Sequence, residues 1–351
     1  MVNSASRFEI LFTILFNASM FLSSWLWVLS FCLSPCLQQD LKAVHISGQA
    51  QGTTYQLTYY ATDEPVGKIQ VDSILDKIDS SLSLYKPYSL ISRFNRSVSG
   101  LPVDEHFVKV IRKSIEVFKN TGGLFDITVQ PLVQAWGFGP QPATSLPDSA
   151  TIQSLLPCVG TNKIHLHGNM LTRDKPCVKI DVNGIAQGYS VDVLAEFLEN
   201  KGINNYIIEL GGEIRVKGHK TGGDKMTIGI ESPDDDGVGG HPIKTIIHLD
   251  HGAITTSGNY EKYYMSGSKR ITHLVDPATG YTLQNEMISA TVYAEDAITA
   301  DGYDNALMAM GVAKALLFVR KQKNMEAYLI YHTPNGAVSD TATAGFYKLM
   351  K

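Results

Sequence analysis

The sequence has 351 residues and a mass of 38.5 kDa. With 44% hydrophobic and 18% charged residues it carries enough apolar side chains for a sizeable core, which excludes a wholly disordered or fibrous chain. A net charge of -4 and a pI near 6.2 argue against nucleic-acid partners, four cysteines are too few for a disulfide scaffold, and a long apolar run confined to the N-terminus excludes a many-spanning membrane protein.

That run, residues 10–37, has no ionisable side chain apart from Cys32 and Cys36, and only Arg7 and Glu9 precede it. It is long for a secretory core and sufficient for a membrane span. Both cysteines sit in imperfect bacterial lipoprotein boxes. Residues 1–36 are therefore expected to be a leader: a lipoprotein signal, an uncleaved anchor or a plain secretion signal. Each option exports the remainder, and an oxidising compartment leaves Cys158 and Cys177 open to pairing, with buried free thiols as the alternative.

In the body, residues 44–60 alternate in strand fashion around Gly52. Residues 66–84 show a helical period through Ile69, Ile74, Leu75, Ile78 and Leu82, and residues 105–120 repeat it up to a Thr121-Gly122-Gly123 stop. A Pro-rich loop is expected over 137–147. A hairpin follows over 163–166 and 170–173, then a strand over 178–181 and a helix over 185–200. Strands are expected over 206–210, 214–217, 226–231, 244–249 and 254–256, with an acidic, glycine-rich loop over 234–240. The last third offers strands over 271–275, 288–294 and 327–331 and a helix pair over 297–321. No linker or repeat interrupts this mixture, so one α+β domain over residues 44–351 is the economical reading.

Four segments carry chemistry. In Asp181-Val182-Asn183-Gly184 a strand ends on an acid and a glycine turn leads into a helix. Asn183 is its expected N-cap, and amides at such a helix start suit a phosphate. Asp301 and Asn305 are four apart on one helical face, with Asp304 as an alternative partner. Their oxygens suit a hard cation such as Mg²⁺, whereas a solvated acidic helix start is the plain alternative. His273, late in an apolar strand, is of the type that takes a proton from a hydroxyl near neutrality. The aromatic and glycine-rich stretch around Leu124-Phe125-Asp126 and Trp136-Gly137-Phe138-Gly139, with Tyr85 upstream, offers stacking for a planar ring, or simply core. No CxxC pair, GxxxxGK[ST] loop or GxSxG elbow is present.

Together, and in order, these segments resemble the ApbE family of FAD:protein FMN transferases. The likeness runs from about Gly52-Thr53-Thr54-Tyr55 to the C-terminus, through Glu209-Leu210-Gly211-Gly212-Glu213, Thr256-Ser257-Gly258-Asn259-Tyr260 and the Asp301 helix. It implies an extracytoplasmic, commonly lipid-anchored enzyme at the periplasmic face of the inner membrane. Such an enzyme cleaves FAD with Mg²⁺ and attaches FMN through a phosphoester to a Thr or Ser of an acceptor protein, releasing AMP. Acceptors include subunits of Rnf-type and sodium-pumping quinone reductase complexes. The resemblance assigns Gln51, Tyr85, Leu124, Phe125, Asp126, Asp181, Gln187 and His273 to FAD, with His273 as base. It assigns the Gly184 carbonyl, Asp301 and Asn305 to the metal. Gln187 replaces a frequent Lys, Asn305 a frequent Thr, and Gln51 a frequent Met. A metal-dependent FAD pyrophosphatase and a non-catalytic flavin-binding lipoprotein are the competing functions.

Overall fold

The alternating stretch at the start of the body folds as a hairpin of β1 (Lys42–Ala50) and β2 (Thr53–Ala61) in antiparallel register. Its two-residue turn, Gln51-Gly52, has φ of 53° and 79°, the left-handed pair that matches the twist of a tight hairpin. The computed structural model describes residues 41–142, 145–231, 242–260, 262–267 and 269–351. The expected leader with Cys32 and Cys36, and the loop over 234–240, lie outside them.

In chain order there follow α1 (Lys68–Leu82), α2 (Leu90–Arg96), β3 (Gly100–Pro102), α3 (Glu105–Asn120), α4 (Gln130–Ala135), α5 (Ser149–Leu155), β4 (Ile164–His167) and β5 (Met170–Arg173). Next come α6 (Ala186–Asn200), β6 (Tyr206–Leu210), β7 (Glu213–Lys217), β8 (Met226–Glu231), β9 (Ile243–Leu249), β10 (His251–Gly258), β11 (Tyr263–Ser266) and β12 (Lys269–Thr272). The chain finishes with β13 (Met287–Ala294), α7 (Ala297–Met310), α8 (Val312–Val319), β14 (Glu326–His332), β15 (Val338–Ala342) and α9 (Phe346–Leu349).

Among the described residues the backbone of the fold is an eight-stranded sheet in the order β1-β2-β6-β7-β10-β13-β14-β15, every neighbouring pair antiparallel. Both faces are covered, and the side-chain alternation shows why. Ala290, Val292 and Ala294 of β13, with Ala327 and Leu329 of β14, join a core shared with α3 and α7. Their alternates Ile288, Tyr328 and Ile330 face a second cluster with the β8–β9 hairpin and Phe346 of α9. Towards β1, helices α1 and α6 lay Val71, Leu75, Val191, Leu194 and Leu198 on Tyr55, Leu57 and Ile208. The result is one mixed α/β domain, and residues 41–351 form a single compact unit. Among the described residues no helix is long and apolar enough to cross a membrane.

The helix α3 occupies the range its period predicts. Asp104 accepts from the Phe107 N–H at its start, and Gly122 and Gly123 end it with positive φ. In α1 the stripe is Val71, Leu75, Ile78 and Leu82, and Ile69, counted in the expected stripe, is 85% exposed. At 100° per residue Ile69 lies some 200° around the helix from Val71, away from the sheet. The 178–181 segment is extended without being a ladder strand. Asn95 exchanges hydrogen bonds of 2.8 Å with both the N–H and the carbonyl of Ile180, and the Asp181 N–H donates to Ile127 O at 2.7 Å.

Cys158 and Cys177 are joined in a disulfide with Cα atoms 5.4 Å apart. Closing a loop of 19 residues disfavours the unfolded chain by roughly 3 kcal/mol. The bridge also ties the approach to Asp181 to the segment bearing Thr161, whose N–H and hydroxyl both donate to the Asp126 carboxylate.

Candidate active site

The helix α7 runs through the middle of the domain, and its acidic residues are not on the surface. Asp301 and Asp304 are 3% and 1% exposed. A solvated helix start is thereby ruled out, since a buried carboxylate persists only with partners. Asp301 Oδ2 accepts from the Gly188 N–H at 2.8 Å, so it caps the first turn of α6 from 113 residues away. Asn183 is not the N-cap that the sequence suggests. The Asp181 carboxylate accepts the Asn183 N–H at 2.9 Å, closing a tight turn, and α6 begins only at Ala186. One of the amides expected to await a phosphate there, that of Gly188, is spent on Asp301.

Two glycines permit this approach. A Cβ on Gly188 would lie 2.4 Å from Ala297 O and 2.7 Å from Asp301 Cβ, and one on Gly184 would lie 3.0 Å from Asn305 Nδ2. Without side chains at these positions α7 presses against the turn before α6, and the Gly184 carbonyl, Asp301 and Asn305 come together. Asn305 Nδ2 sits 3.5 Å from Gly184 O and 2.9 Å from Asp304 Oδ1, while Oδ1 accepts from Ser257 Oγ of β10 at 3.2 Å. Asn305 therefore offers oxygen towards Gly184 only when its amide is turned over. Among the described residues no group of three or more His, Cys, Asp or Glu side chains is gathered as for a metal; this set instead joins a carboxylate, an amide and a main-chain carbonyl.

These groups open into a cavity of about 270 Å³. Tyr85, Leu124, Phe125, Asp126, Asp181, Gly184, Gln187, His273, Asp301 and Asn305 all line it. Gln51 does not: it lines a neighbouring groove and donates from Nε2 to Ser190 Oγ at 2.8 Å. Gln187 of the cavity and Thr53 of the groove both come close to Gly211, where a Cβ would fall 2.8 Å from Gln187 Nε2 and from Thr53 Cγ2. Tyr85, 63% exposed, stands at the rim, and Phe125 serves both cavity wall and core. Trp136 is core, with its Nε1–H on Gly280 O at 2.8 Å. The Asp126 carboxylate takes hydrogen bonds from the N–H and hydroxyl groups of both Thr128 and Thr161, which makes it a brace for the wall.

His273 directly follows β12, which ends at Thr272 and not at Val275 as the pattern suggests. Its main-chain N–H and its Nδ1 both reach Lys262 O at 3.1 Å. A carbonyl only accepts, so Nδ1 carries the proton and the lone pair is on Nε2. Burial lowers the imidazole pKa to about 4, so the ring is neutral at pH 7. Burial also pushes Asp181 up to about 6 against the Asn183 N–H and the charge of Lys262.

Between 3.8, the ordinary aspartate value, and about 6, folded Asp181 holds a proton that the unfolded chain releases, so stability falls as pH rises through that window. Asp181→Asn, which keeps an acceptor for the Asn183 N–H, is expected to stabilise the protein at pH 8 by up to about 3 kcal/mol. The gain should vanish near pH 4. Urea unfolding at the two pH values checks this.

The ApbE family model matches residues 51–329, which includes every cavity residue named above. The chain belongs to the ApbE family. An FAD:protein FMN transferase of Haemophilus influenzae is 36% identical over 331 residues, 90% of this chain and 94% of that one. One from Vibrio cholerae is 33% identical over 321 residues, 89% of this chain and 95% of that one. Among solved structures, the flavin transferase ApbE from Vibrio cholerae superposes with a TM-score of 0.78 at 32% identity, covering 88% of this chain and 99% of that one. The apo flavinyl transferase ApbE of Pseudomonas stutzeri gives 0.79 at 28% identity, with 88% and 97% covered. Within this ApbE cavity, the sequence had not pointed to Lys262 at all, and it had given no ligand role to Asn183, Ser257 or Glu213, the last at the start of β7. Lys262 and His273 flank a short hairpin, β11–β12, and recognising that hairpin was the one available signal for Lys262.

Proposed function

We propose that this protein transfers FMN from FAD to a Thr or Ser hydroxyl of an acceptor protein and releases AMP. The observation that carries the reading is the convergence in one cavity of a neutral imidazole with its lone pair on Nε2 and the oxygen set of Gly184, Asp301 and Asn305. Relatives named for this activity, matched over nearly their whole length, support it.

His273 Nε2 accepts the proton of the acceptor hydroxyl. The hydroxyl oxygen bonds to the phosphorus of the FMN half of FAD. The bond from that phosphorus to the bridging oxygen breaks, and AMP leaves with that oxygen and the electron pair, while the proton returns from the imidazolium to solvent. Positioning and charge stabilisation carry most of such a transfer. Tyr85, Leu124, Phe125, Asp181 and Gln187 hold FAD, with Asp126 bracing the wall and Gln51 reaching the substrate from the adjoining groove.

Gly184 O, Asp301 and Asn305 fit a hard divalent cation such as Mg²⁺ in donor type. So does the charge of the wall, where five carboxyl groups face one ammonium, an unsuitable receptor for a diphosphate without added positive charge. A bound divalent ion would supply that neutralisation.

The residues 1–36 leader directs the domain, residues 44–351 by the sequence reading, to the periplasmic face of the inner membrane, through a lipid on Cys32 or Cys36 or an N-terminal anchor. The Cys158–Cys177 disulfide, a bond that persists in oxidising compartments, supports export. The acceptor is then a subunit of a membrane electron-transport complex of the Rnf or sodium-pumping quinone reductase type. Incubation with FAD, Mg²⁺ and such a subunit should add the mass of one FMN less a water to it by mass spectrometry. Release of free FMN with an unmodified subunit would instead mark a pyrophosphatase, and FAD left intact would mark a binding protein.

A further inference from the structure

Among the described residues that line the cavity, positive charge comes from Lys262 alone, against the carboxyl groups of Asp126, Asp181, Glu213, Asp301 and Asp304. Its backbone is held in place, because its carbonyl accepts both the main-chain N–H and the ring Nδ1–H of His273. The β11–β12 hairpin is thus flanked by the ammonium-bearing residue on one side and the imidazole on the other, and both line the same cavity. The side chain of Lys262 is exposed at the rim, where an ammonium keeps its hydration until a ligand arrives. Its charge already reaches across the opening, favouring the ionised form of Asp181 and the neutral form of His273. The first turn of α6 contributes Gln187 to the same lining, and Gln187 has no charge to offer.

The geometry points to Lys262 as the residue that grips the diphosphate of the dinucleotide substrate, supplying from the hairpin the positive charge that Gln187 does not supply from α6. This rests on the transferase reading. It adds that the chain carries its own cation for the phosphates beside whatever metal it binds, and that this cation is fixed to the same carbonyl that orients the base. An ammonium at a rim acts as a point charge without a fixed fork, so arginine can replace it and glutamine cannot.

The test compares three probes on the full domain at constant Mg²⁺: FAD, ADP as the diphosphate alone, and riboflavin as the uncharged flavin. Lys262→Gln is expected to weaken FAD and ADP binding about 10- to 100-fold and to flatten its salt dependence, leaving riboflavin within about twofold. Lys262→Arg should bind ADP nearly as the wild type does. Gln187→Lys placed in the Lys262→Gln background should recover at least about fivefold of the ADP affinity. The inference is overturned if Lys262→Gln binds ADP normally, if riboflavin and ADP weaken equally, if Lys262→Arg is as weak as Lys262→Gln, or if the swap recovers nothing. Failure of the wild type to flavinylate an acceptor would sink the transferase reading instead, and the ADP comparison is read without that assay.

Discussion

Replacing His273 by alanine is expected to lower the rate constant for transfer about 10²- to 10⁴-fold, the usual contribution of a positioned base, with little change in FAD affinity. The proton on Nδ1 is committed to Lys262 O, so the group that acts is Nε2, and no other described imidazole lines the cavity. The pH dependence distinguishes this from loss of packing. A free imidazole loses its base function below about 6.5, but burial holds His273 at about 4. The wild-type limb assigned to this group should therefore lie near pH 4, and any inflection near 6 should belong to Asp181 and survive in His273→Ala. Stability gives an independent sign. Between about 4 and 6.5 the unfolded chain binds a proton that folded His273 refuses, so this residue's contribution is present above 6.5 and lost as pH falls towards 4. His273→Gln should remove that slope from the unfolding free energy while also abolishing the fast transfer. A variant that transfers at the wild-type rate from pH 5 to 8 would remove His273 from the mechanism.

Much of the fold was legible because the larger elements bury one periodic stripe each. The residues 105–120 helix and the 206–210 and 226–231 strands match the structure to the residue. The elements that escaped are the ones whose pattern is too short or too polar to repeat. Helices α2, α4 and α5 are six or seven residues long, under two turns, and the edge strand β15 buries only Ala342. The 178–181 segment read as a strand because it is extended and apolar, yet it makes only an isolated bridge to Val129 and a bond to Ile127 O and is otherwise held by the side chain of Asn95, which no period reveals.

At the site, the motifs together with the family resemblance named many of the residues that line the cavity, and what they could not convey was burial and distance across the chain. Asp301 and Asn305 are four apart in sequence, but whether they face water or a core depends on Gly184 and Gly188 admitting α7, a contact made more than 100 residues away. The misplaced cap has the same origin. Asn183 has the right chemistry at the right place in the sequence, and a carboxylate from another helix does the capping instead. Gln51 likewise lines the neighbouring groove and not the cavity, a separation that linear order does not encode.

The second large effect is expected from Asp301→Asn. Alanine at this position would confound two losses, because the carboxylate also caps α6 through the Gly188 N–H, and removing a cap costs about 1 kcal/mol by itself. Asparagine keeps an oxygen for that N–H and removes the charge, leaving the helix junction intact while weakening the only carboxylate in the proposed oxygen set. Divalent-ion affinity should fall at least about tenfold, read by calorimetric titration of Mg²⁺ or Mn²⁺ into the protein without FAD, and flavin transfer should fall by about 10²-fold or more. The thermal midpoint in chelator should stay close to that of the wild type, since the cap survives. Should Asp301→Asn bind the ion as the wild type does and transfer flavin at full rate in chelator, the buried acid of α7 would be a structural cap and nothing more, and the gathering of Gly184, Asp301 and Asn305 would have to be explained by helix packing alone.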